Sequence, residues 1–346
     1  MKFTFPIITL SMGGAQRMLA ELVNGLVERG HDVTILMPRC GIIEYAMKAR
    51  IIRTRQLDYI DVDEFPQSDF IISNYYTIVS GSQVASEQGK GVHIRLSLCY
   101  EPSFLPNNDI TFRTYHLTRH LLVLSAWQQQ LIALNHGVMG HIVPVGISPS
   151  FRNEHVRDRQ SRLHISAILR RPEWGHVWHR EQDYLLYHLQ LIKEQYPDVS
   201  INIFTPPYEY STSPYLQSLK KQYDFRFLQP VDDKAMSRHY SEAHIFVSSS
   251  TYDTAQIPGL EAMRCGAALV TTYAGGNMDY CRNGDNCLLS YRYENNLSAN
   301  IRQLIENPAL RKKLAAAGEE EAAKWTWKRS LDKFEDALHA ITGKRI

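Results

Sequence analysis

The sequence has no apolar run that approaches the ~20 residues needed to cross a bilayer. Its N-terminal apolar stretch, Phe3 to Leu10, is short, contains Pro6 and is preceded by one basic residue, Lys2. A small-residue cleavage pattern is also lacking. These features predict a first β-strand and not a secretory signal.

Cysteine is scarce, and the cysteines show no paired spacing in the sequence. The five cysteines are odd in number, and no C-x-x-C occurs. Such usage favours reduced thiols in the cytosol and argues against a zinc site. We therefore expect a cytoplasmic protein.

Excess charge of one sign is lacking too. The 38 basic and 36 acidic residues leave a net charge of +2, which is too mild to indicate nucleic-acid binding. The dinucleotide fingerprint G-x-G-x-x-G is absent, which disfavours an NAD-type site. The sequence Asp61-Val62-Asp63 spells a D-x-D motif typical of metal-dependent transferases, but it falls in an acidic loop, and we interpret it as chance.

What the chain does contain is a regular alternation of strand and helix patterns. With 346 residues it is long enough for two ordinary domains. The alternation predicts α/β domains with mostly parallel strands. A passage rich in Pro, Gly and Ser at 143–151 marks the boundary, which gives domains at 1–150 and 151–325 and a C-terminal amphipathic helix at 326–346.

Two loops follow predicted strands and precede helices. The first contains Gly13 and Gly14, whose backbone could approach a phosphate closely or could be a turn without a ligand. The second lies between Ser248 and Thr272, where Pro258 begins a helix that Gly266 ends. A helix N-terminus attracts anions, and Asp253 and Glu261 flank it, so the stretch suits a ligand with phosphates and hydroxyls, such as a nucleotide sugar.

This second stretch resembles the C-terminal motif of GT-B glycosyltransferases, specifically the retaining family 4. That family usually reads E-G-F-G-x-P-x-L-E-A-M-A-x-G. This chain keeps the proline, leucine, second glutamate, alanine, methionine and last glycine, but has Asp253 for the first glutamate and Gln256 for a glycine. The resemblance implies two Rossmann-like domains facing each other across a cleft, with the C-terminal helix returning to the first.

The resemblance also assigns candidate roles. The family grips the donor diphosphate with an arginine at a strand end and a cation about five residues later, which points here to Arg171 (Arg170 second) and His176. The other donor-binding candidates are Gly13, Gly14, Val231, Gln256, Ile257, Pro258 and Glu261, while Asp253 would face the sugar.

A Tyr100-Glu101-Pro102 segment is similar to one in a sub-branch that includes rhamnosyltransferases of cell-surface glycans. Glu101 could orient an acceptor hydroxyl, or it could be a plain loop glutamate. The family histidine near this strand end has no counterpart here.

The implied activity is retaining transfer of a hexose or deoxyhexose from a nucleotide-diphosphate sugar to a glycan, lipid-linked or other cell-surface acceptor, without metal or cofactor. The departures at Asp253, Gln256 and His176 favour the alternative of a non-catalytic binder with a decayed site. An epimerase or phosphorylase is disfavoured, because neither an acid/base pair nor a lysine cofactor signature is recognisable.

The basic cluster Lys48, Arg50, Arg53 and Arg55 could contact the inner membrane face or could be a solvated surface.

Overall fold

The computed structural model describes residues 1–174 and 177–343, and the chain divides into two compact units. Unit 1 comprises Met1–Gly146 together with the C-terminal stretch from Thr326, and unit 2 comprises Ile147–Trp325. The sequence pattern predicted the first division after residue 150 and the second after residue 325.

Unit 1 is built on a seven-stranded parallel sheet in the order β3-β2-β1-β4-β5-β6-β7. Strands β1, β2, β4, β5 and β6 are almost entirely buried, as expected where helices cover both faces of a sheet. Strand order reverses between β1 and β4, which is where ligands bind in such sheets. The strands are β1 Lys2–Pro6, β2 Asp32–Met37, β3 Arg50–Arg53, β4 Phe70–Ser73, β5 Val92–Ser97, β6 Leu121–Val123 and β7 His141–Ile142.

The helices of unit 1 include the last helix of the chain. Helix α13 packs so closely on α1 that a Cβ at Gly25 would lie 2.2 Å from Leu331 Cδ1. Arg29 on the C-cap of α1 pairs with Asp332 and Glu335, both at 2.5 Å. The helices are α1 Gly14–Glu28, α2 Tyr76–Glu87, α3 Glu101–Phe104, α4 Asn108–Thr114, α5 Ala126–His136 and, from the far end of the chain, α13 Trp327–Thr342.

Unit 2 is built on a six-stranded parallel sheet in the order β10-β9-β8-β11-β12-β13. This is the strand order of a Rossmann-type fold, with its reversal between β8 and β11. The strands are β8 His164–Ile168, β9 Ser200–Phe204, β10 Arg226–Leu228, β11 Ile245–Ser248, β12 Ala268–Thr272 and β13 Cys287–Ser290.

Most helices of unit 2 bury part of their surface, whereas the short α7 has no buried residue. Four of the helices, α7, α8, α10 and α12, carry proline in the first turn, where the missing N–H has no intrahelical partner to lose. The helices are α6 Gln182–Gln195, α7 Pro207–Thr212, α8 Pro214–Gln222, α9 Asp233–Glu242, α10 Ile257–Arg264, α11 Leu297–Glu306 and α12 Pro308–Ala322.

Candidate active site

The candidate site lies at the carboxyl edge of the unit 2 sheet, at the reversal point. A small cavity there is lined by the ends of β8 and β11, by the loop that follows β11 and by the start of α10. The side chains that bring chemistry to it are Arg180, Asp253 and Gln256, and Pro258 closes one side. This is the stretch that the sequence pattern singled out.

Asp253 organises the loop that leads into α10. Its Oδ1 accepts hydrogen bonds from the backbone N–H groups of Ala255 at 3.1 Å and Gln256 at 2.8 Å. Its own N–H donates to the carbonyl of Ala274 at 2.8 Å, which ties the loop to the segment after β12. The aspartate therefore lines the cavity and also folds the loop around it. Its role toward a sugar stays a prediction.

Gln256 occupies a backbone conformation that normally favours glycine, with φ at 46° and ψ at 54°. Its side chain is buried and held by three partners. The amide Nε2 donates to Ser248 Oγ at 2.9 Å, and Oε1 accepts from the hydroxyls of Thr271 and Tyr280, both at 3.3 Å. These contacts hold a strained residue in place. They explain how glutamine can stand where the resembling family has glycine.

Ile257 and Pro258 form the first turn of α10, at the N-terminal end where backbone N–H groups and the helix dipole favour an anion. Glu261 lies one turn further along and accepts a hydrogen bond from the Tyr240 hydroxyl at 3.3 Å. Burial raises the pKa of Tyr240 well above its usual range, and Glu261 adds to the increase. A neutral Tyr240 thus holds Glu261 against α9.

Arg170, which follows β8, forms an ion pair with Glu209 within unit 2. Its Nε lies 2.8 and 2.9 Å from the two carboxylate oxygens of Glu209 on α7, and Nη2 also donates to that carboxylate. Gln182 holds the backbone of Arg170 from both sides, accepting from its N–H at 2.6 Å and donating to its carbonyl at 3.0 Å. Glu209 therefore takes up the charge of Arg170.

Arg171 is buried beside the same helix. Its Nη1 donates to Thr212 Oγ1 at 2.7 Å, and its guanidinium lies 5.7 Å from the ring centre of Tyr208. Its backbone N–H donates to Glu209 Oε2 at 2.9 Å. Arg171 does not line the cavity beside Asp253. Its predicted role in gripping a diphosphate is untested.

Arg180 is the cation that sequence reasoning missed. It lines the cavity with Asp253 and Pro258. Among residues 1–174 and 177–343 it has no side-chain hydrogen bond or ion pair. Burial lowers the pKa of its guanidinium, Arg170 adds to the decrease, and Asp253 and Glu209 oppose it. A guanidinium stays charged under such conditions and can bind a phosphate through two parallel hydrogen bonds.

Hydrogen bonds to the loop after β11 position Arg180. Ser249 Oγ donates to the Arg180 carbonyl at 2.6 Å, the His179 ring donates to the Tyr252 carbonyl at 2.7 Å, and the Thr251 N–H donates to the His179 carbonyl at 2.9 Å. The signal in the sequence was a basic residue just before the helix pattern that begins at Gln182. The family resemblance pointed instead to His176, five residues after Arg171, which lies outside the described residues.

Val231 follows β10 and is 78% exposed, so its side chain and backbone are accessible. The resemblance places a nucleobase beside this residue. This role of Val231 stays a prediction.

The candidate residues of unit 1 already have partners. The N–H of Gly13 donates to the Tyr45 hydroxyl at 3.1 Å, and that hydroxyl donates back to the Gly13 carbonyl at 3.0 Å. Gly14 begins α1. The glycine loop is therefore closed by Tyr45, and a phosphate would have to displace this hydroxyl.

Glu101 is 4% exposed and forms a buried ion pair. Its Oε2 accepts from Arg95 Nη2, and its Oε1 accepts from the N–H of Tyr76 at 2.9 Å, at the start of α2. Arg95 also donates to Thr114 Oγ1 at 2.8 Å and lies 3.7 Å from the ring centre of Tyr115. Glu101 thus joins β5, α2 and α4, which is a structural task.

Metal ligation and membrane spanning find no support in the described part of the chain. No group of three or more His, Cys, Asp or Glu is placed to hold a metal ion there. The D-x-D sequence lies around a 3-10 turn, Val62–Glu64, where Asp61 accepts from Gln56 at 3.0 Å. Within residues 1–174 and 177–343, no helix combines the length and the apolar character that crossing a membrane requires.

Part of the sequence of unit 2 is similar to known glycosyltransferases. Residues 176–321 match the family model of "Glycosyl transferases group 1". Over 116 residues, 33% of this chain, the sequence is 30% identical to a D-inositol 3-phosphate glycosyltransferase of Geodermatophilus obscurus. Over 121 residues, 35% of the chain, it is 26% identical to the enzyme of that name from Nocardiopsis dassonvillei. These matches span 25% and 28% of the two relatives, about a quarter of their length.

Solved structures match nearly the whole chain. Sucrose-phosphate synthase from Thermosynechococcus elongatus superposes with a TM-score of 0.80 at 14% identity over 99% of both chains. HepE of Anabaena, in complex with UDP and glucose, gives 0.77 at 15% identity over 98% of this chain and 100% of HepE. WaaG, a glycosyltransferase involved in lipopolysaccharide biosynthesis, gives 0.74 at 14% identity over 99% and 100%. The predicted fold class, two Rossmann-like α/β domains of the GT-B type, is confirmed.

Proposed function

We propose that the protein is a retaining glycosyltransferase that moves a hexose or deoxyhexose from a nucleotide-diphosphate sugar to a glycan, lipid-linked or other cell-surface acceptor. The observation that carries the proposal is Arg180, a cation whose side chain makes no hydrogen bond to the described residues and lines a cavity at the N-terminus of α10. Apart from Ile168, the residues that line this cavity lie within the segment that matches the glycosyltransferase family model.

The chemistry follows from where charge develops. When the bond between the sugar carbon and the diphosphate oxygen breaks, its electron pair stays on the phosphate. Arg180 and the N–H groups at the start of α10 would stabilise that growing negative charge. The acceptor oxygen bonds to the sugar carbon, and its proton passes to the departing phosphate, so no separate strong base is needed.

Two observations support a nucleotide sugar as the donor: the cavity at Arg180 and the ligands of a structurally similar protein. HepE has been solved with UDP-glucose. In this chain, Glu261 and the exposed Val231 would contact the ribose and the base of a nucleotide whose diphosphate lies at Arg180. The rhamnosyltransferase sub-branch rests on the Tyr100-Glu101-Pro102 segment, in which Glu101 has a structural task.

The expectation for a cytoplasmic protein was that the basic cluster at 48–55 could contact the inner membrane face. The contacts of this cluster give that expectation little support. Lys48 pairs with Glu28, Arg55 pairs with Glu64, and Arg53 donates to the carbonyl groups of Pro38 and Gly41. These cations are already engaged on the surface of unit 1. The cluster therefore fits a solvated surface better than a lipid contact.

A direct test incubates the protein with UDP-, GDP- and dTDP-sugars and measures the release of free nucleoside diphosphate with and without added glycan acceptors. A transferase releases the diphosphate from at least one donor, and Arg180→Ala abolishes that release. Conversion with inverted anomeric configuration would contradict the retaining mechanism.

A non-catalytic binder is the second candidate, and specific contacts favour it. Tyr45 closes the glycine loop, and Asp253 Oδ1 is occupied by the backbone of its own loop. Such a protein would bind a nucleotide sugar with the same dependence on Arg180 but release no diphosphate with any acceptor.

Independence of metal ions is a further part of the proposal, since Arg180 and the α10 N-terminus would supply the positive charge. We expect the rate of diphosphate release to be unchanged, within twofold, in excess EDTA. Loss of turnover in EDTA that manganese or magnesium restores would contradict it.

A further inference from the structure

Three tyrosines form a stack at the carboxyl edge of the unit 2 sheet. The rings of Tyr273 and Tyr291 lie 5.6 Å apart at an interplanar angle of 28°, and those of Tyr291 and Tyr293 lie 5.7 Å apart at 19°. These are offset-stacked arrangements. We call Tyr273, Tyr291 and Tyr293 the tyrosine stack.

The sheet register produces the first pair. Strands β12 and β13 run parallel with Thr272 opposite Ser290, and the N–H of Tyr273 donates to the Ser290 carbonyl at 2.9 Å. The next residue on each strand is a tyrosine, so the two rings lie side by side. The 3-10 turn Arg292–Glu294 then brings Tyr293 onto the outer face of Tyr291.

The turn that carries the outer rings is held firmly. Arg292 lies 3.7 Å from the ring centre of Tyr184 and pairs with Glu181 at 3.2 Å. Glu294 accepts from the N–H of Tyr291 at 2.8 Å and completes a capping box. The rings are therefore presented in a fixed arrangement, which lowers the entropy cost of binding.

The stack ends in solvent. Tyr291 is 43% exposed and Tyr293 is 82% exposed, so the last ring offers an open apolar face with a hydroxyl at its rim. Exposed apolar surface held in a fixed geometry is typical of an interaction site.

The stack also begins beside the candidate site. Tyr273 precedes Ala274, whose carbonyl accepts the N–H of Asp253, and Glu181, the partner of Arg292, follows Arg180. A ligand chain that leaves the cavity along this edge would pass over the tyrosine stack.

We propose that the tyrosine stack binds the sugar rings of an oligosaccharide, the acceptor glycan if the proposed transferase function is correct. A pyranose ring presents C–H groups on one face and hydroxyls at its rim, which matches the aromatic face and the phenolic hydroxyl of tyrosine. The nucleobase is expected near Val231, which follows β10, and the sheet order places β10 and β13 at opposite ends. The open face of Tyr293 can take one pyranose ring, and the exposed edge of Tyr291 can contact the next sugar, so a short oligosaccharide is the occupant that fits.

The test uses a panel of linear hexasaccharides as probes (maltohexaose, cellohexaose, mannohexaose and chitohexaose) and measures binding by ligand-observed NMR and by titration. We expect at least one to bind, Tyr293→Ala to weaken its binding at least tenfold, and Tyr293→Phe to retain more than half of the affinity. The matched control is Tyr59→Ala, which removes an exposed tyrosine from unit 1 and should leave binding unchanged.

UDP affinity is measured in the same variants. If no hexasaccharide binds, or if Tyr293→Ala leaves binding intact, the proposal is overturned. If Tyr293→Ala weakens UDP binding tenfold while hexasaccharide binding is unchanged, the stack holds a nucleobase and the glycan assignment is wrong. Failure of the transferase function would look different, with no diphosphate release although hexasaccharide binding still depends on Tyr293.

Discussion

The carboxyl edges of the two parallel sheets differ in how far their polar groups are already satisfied. In unit 1, Glu101 is bonded through both carboxylate oxygens, and Gly13 is bonded to the Tyr45 hydroxyl. In unit 2, Arg180 lines a cavity at the start of α10 with no hydrogen bond or ion pair to the part of the chain that the structure describes. Because the Arg180 guanidinium faces this cavity without a hydrogen bond to the described residues, it can bind an anion, and the second edge is the one that indicates a ligand.

The largest expected effect is on the stability of unit 1, where Glu101 at the edge of the sheet is bonded through both carboxylate oxygens. Glu101→Ala leaves Arg95 buried without its carboxylate, which should lower the free energy of unfolding of unit 1 by about 3–5 kcal/mol. Chemical denaturation would measure it. The control variant, Glu101→Leu with Arg95→Met, removes both charges and should be much closer to the wild type. An unchanged stability with lost turnover would instead make Glu101 a catalytic residue.

A second prediction concerns Glu209, which binds Arg170 in unit 2. Glu209→Gln weakens a charge-assisted contact and should cost roughly 1.5–3 kcal/mol of stability, while UDP affinity changes less than threefold because the Arg180 side chain is retained and Glu209 makes no hydrogen bond to it. Glu194→Gln, an exposed change on α6, serves as the control for stability. A tenfold loss of UDP affinity would show that Arg170 and Glu209 belong to the binding machinery.

The smallest effect is a pH dependence in unit 1. Burial lowers the pKa of His93 to about 3, with Arg95 and His120 adding to the decrease. The unfolded state, with a histidine pKa near 6.5, therefore binds the extra proton first as the pH falls. Stability should decline by up to about 1.4 kcal/mol per pH unit below about pH 6. Urea denaturation at pH 7 and pH 5 measures this decline.

The matched variants for that experiment are His93→Gln, which should reduce the pH dependence to the part that His136 contributes, since burial lowers the pKa of His136 to about 4, and His155→Asn, an exposed histidine whose replacement should not reduce it. Equal pH dependence in wild type and His93→Gln would contradict the assignment to His93.

Much of the fold could be predicted from the sequence because buried parallel strands are continuous apolar runs. The apolar runs at 32–37, 163–169 and 200–205 predict strands, and β2 has the first of these bounds while β8 and β9 lie within a residue of the others at each end. Strand β3, Arg50–Arg53, was missed, because an edge strand flanked by two arginines gives no apolar signal and was interpreted as a charge cluster. Strand β13 was missed because it follows a turn signal closely and is four residues long.

The sequence analysis singled out the loop at 253–258 as part of a candidate site. It did not single out Arg180, the cation that lines the same cavity. The Asp253–Pro258 loop was recognisable because proline and the acidic residues mark a helix start. Arg180 was not, because two 3-10 turns, Pro172–Trp174 and Trp178–Arg180, lengthen the connection between β8 and α6. A fixed spacing from Arg171 cannot account for such an insertion, and only the contacts of His179 and Ser249 with neighbouring loops show where the chain returns.

The most decisive measurement is calorimetric titration of UDP, GDP and dTDP into the wild type, Arg180→Ala, Arg180→Lys and Arg171→Ala. If Arg180 grips the donor diphosphate, Arg180→Ala should weaken the best nucleotide at least tenfold, from a lost contact of roughly 1.5–3 kcal/mol. Arg180→Lys should recover part of the affinity, and Arg171→Ala should have the smaller effect. Unchanged affinity in Arg180→Ala, with a tenfold loss in Arg171→Ala, would move the diphosphate to Arg171 and contradict this assignment of the site.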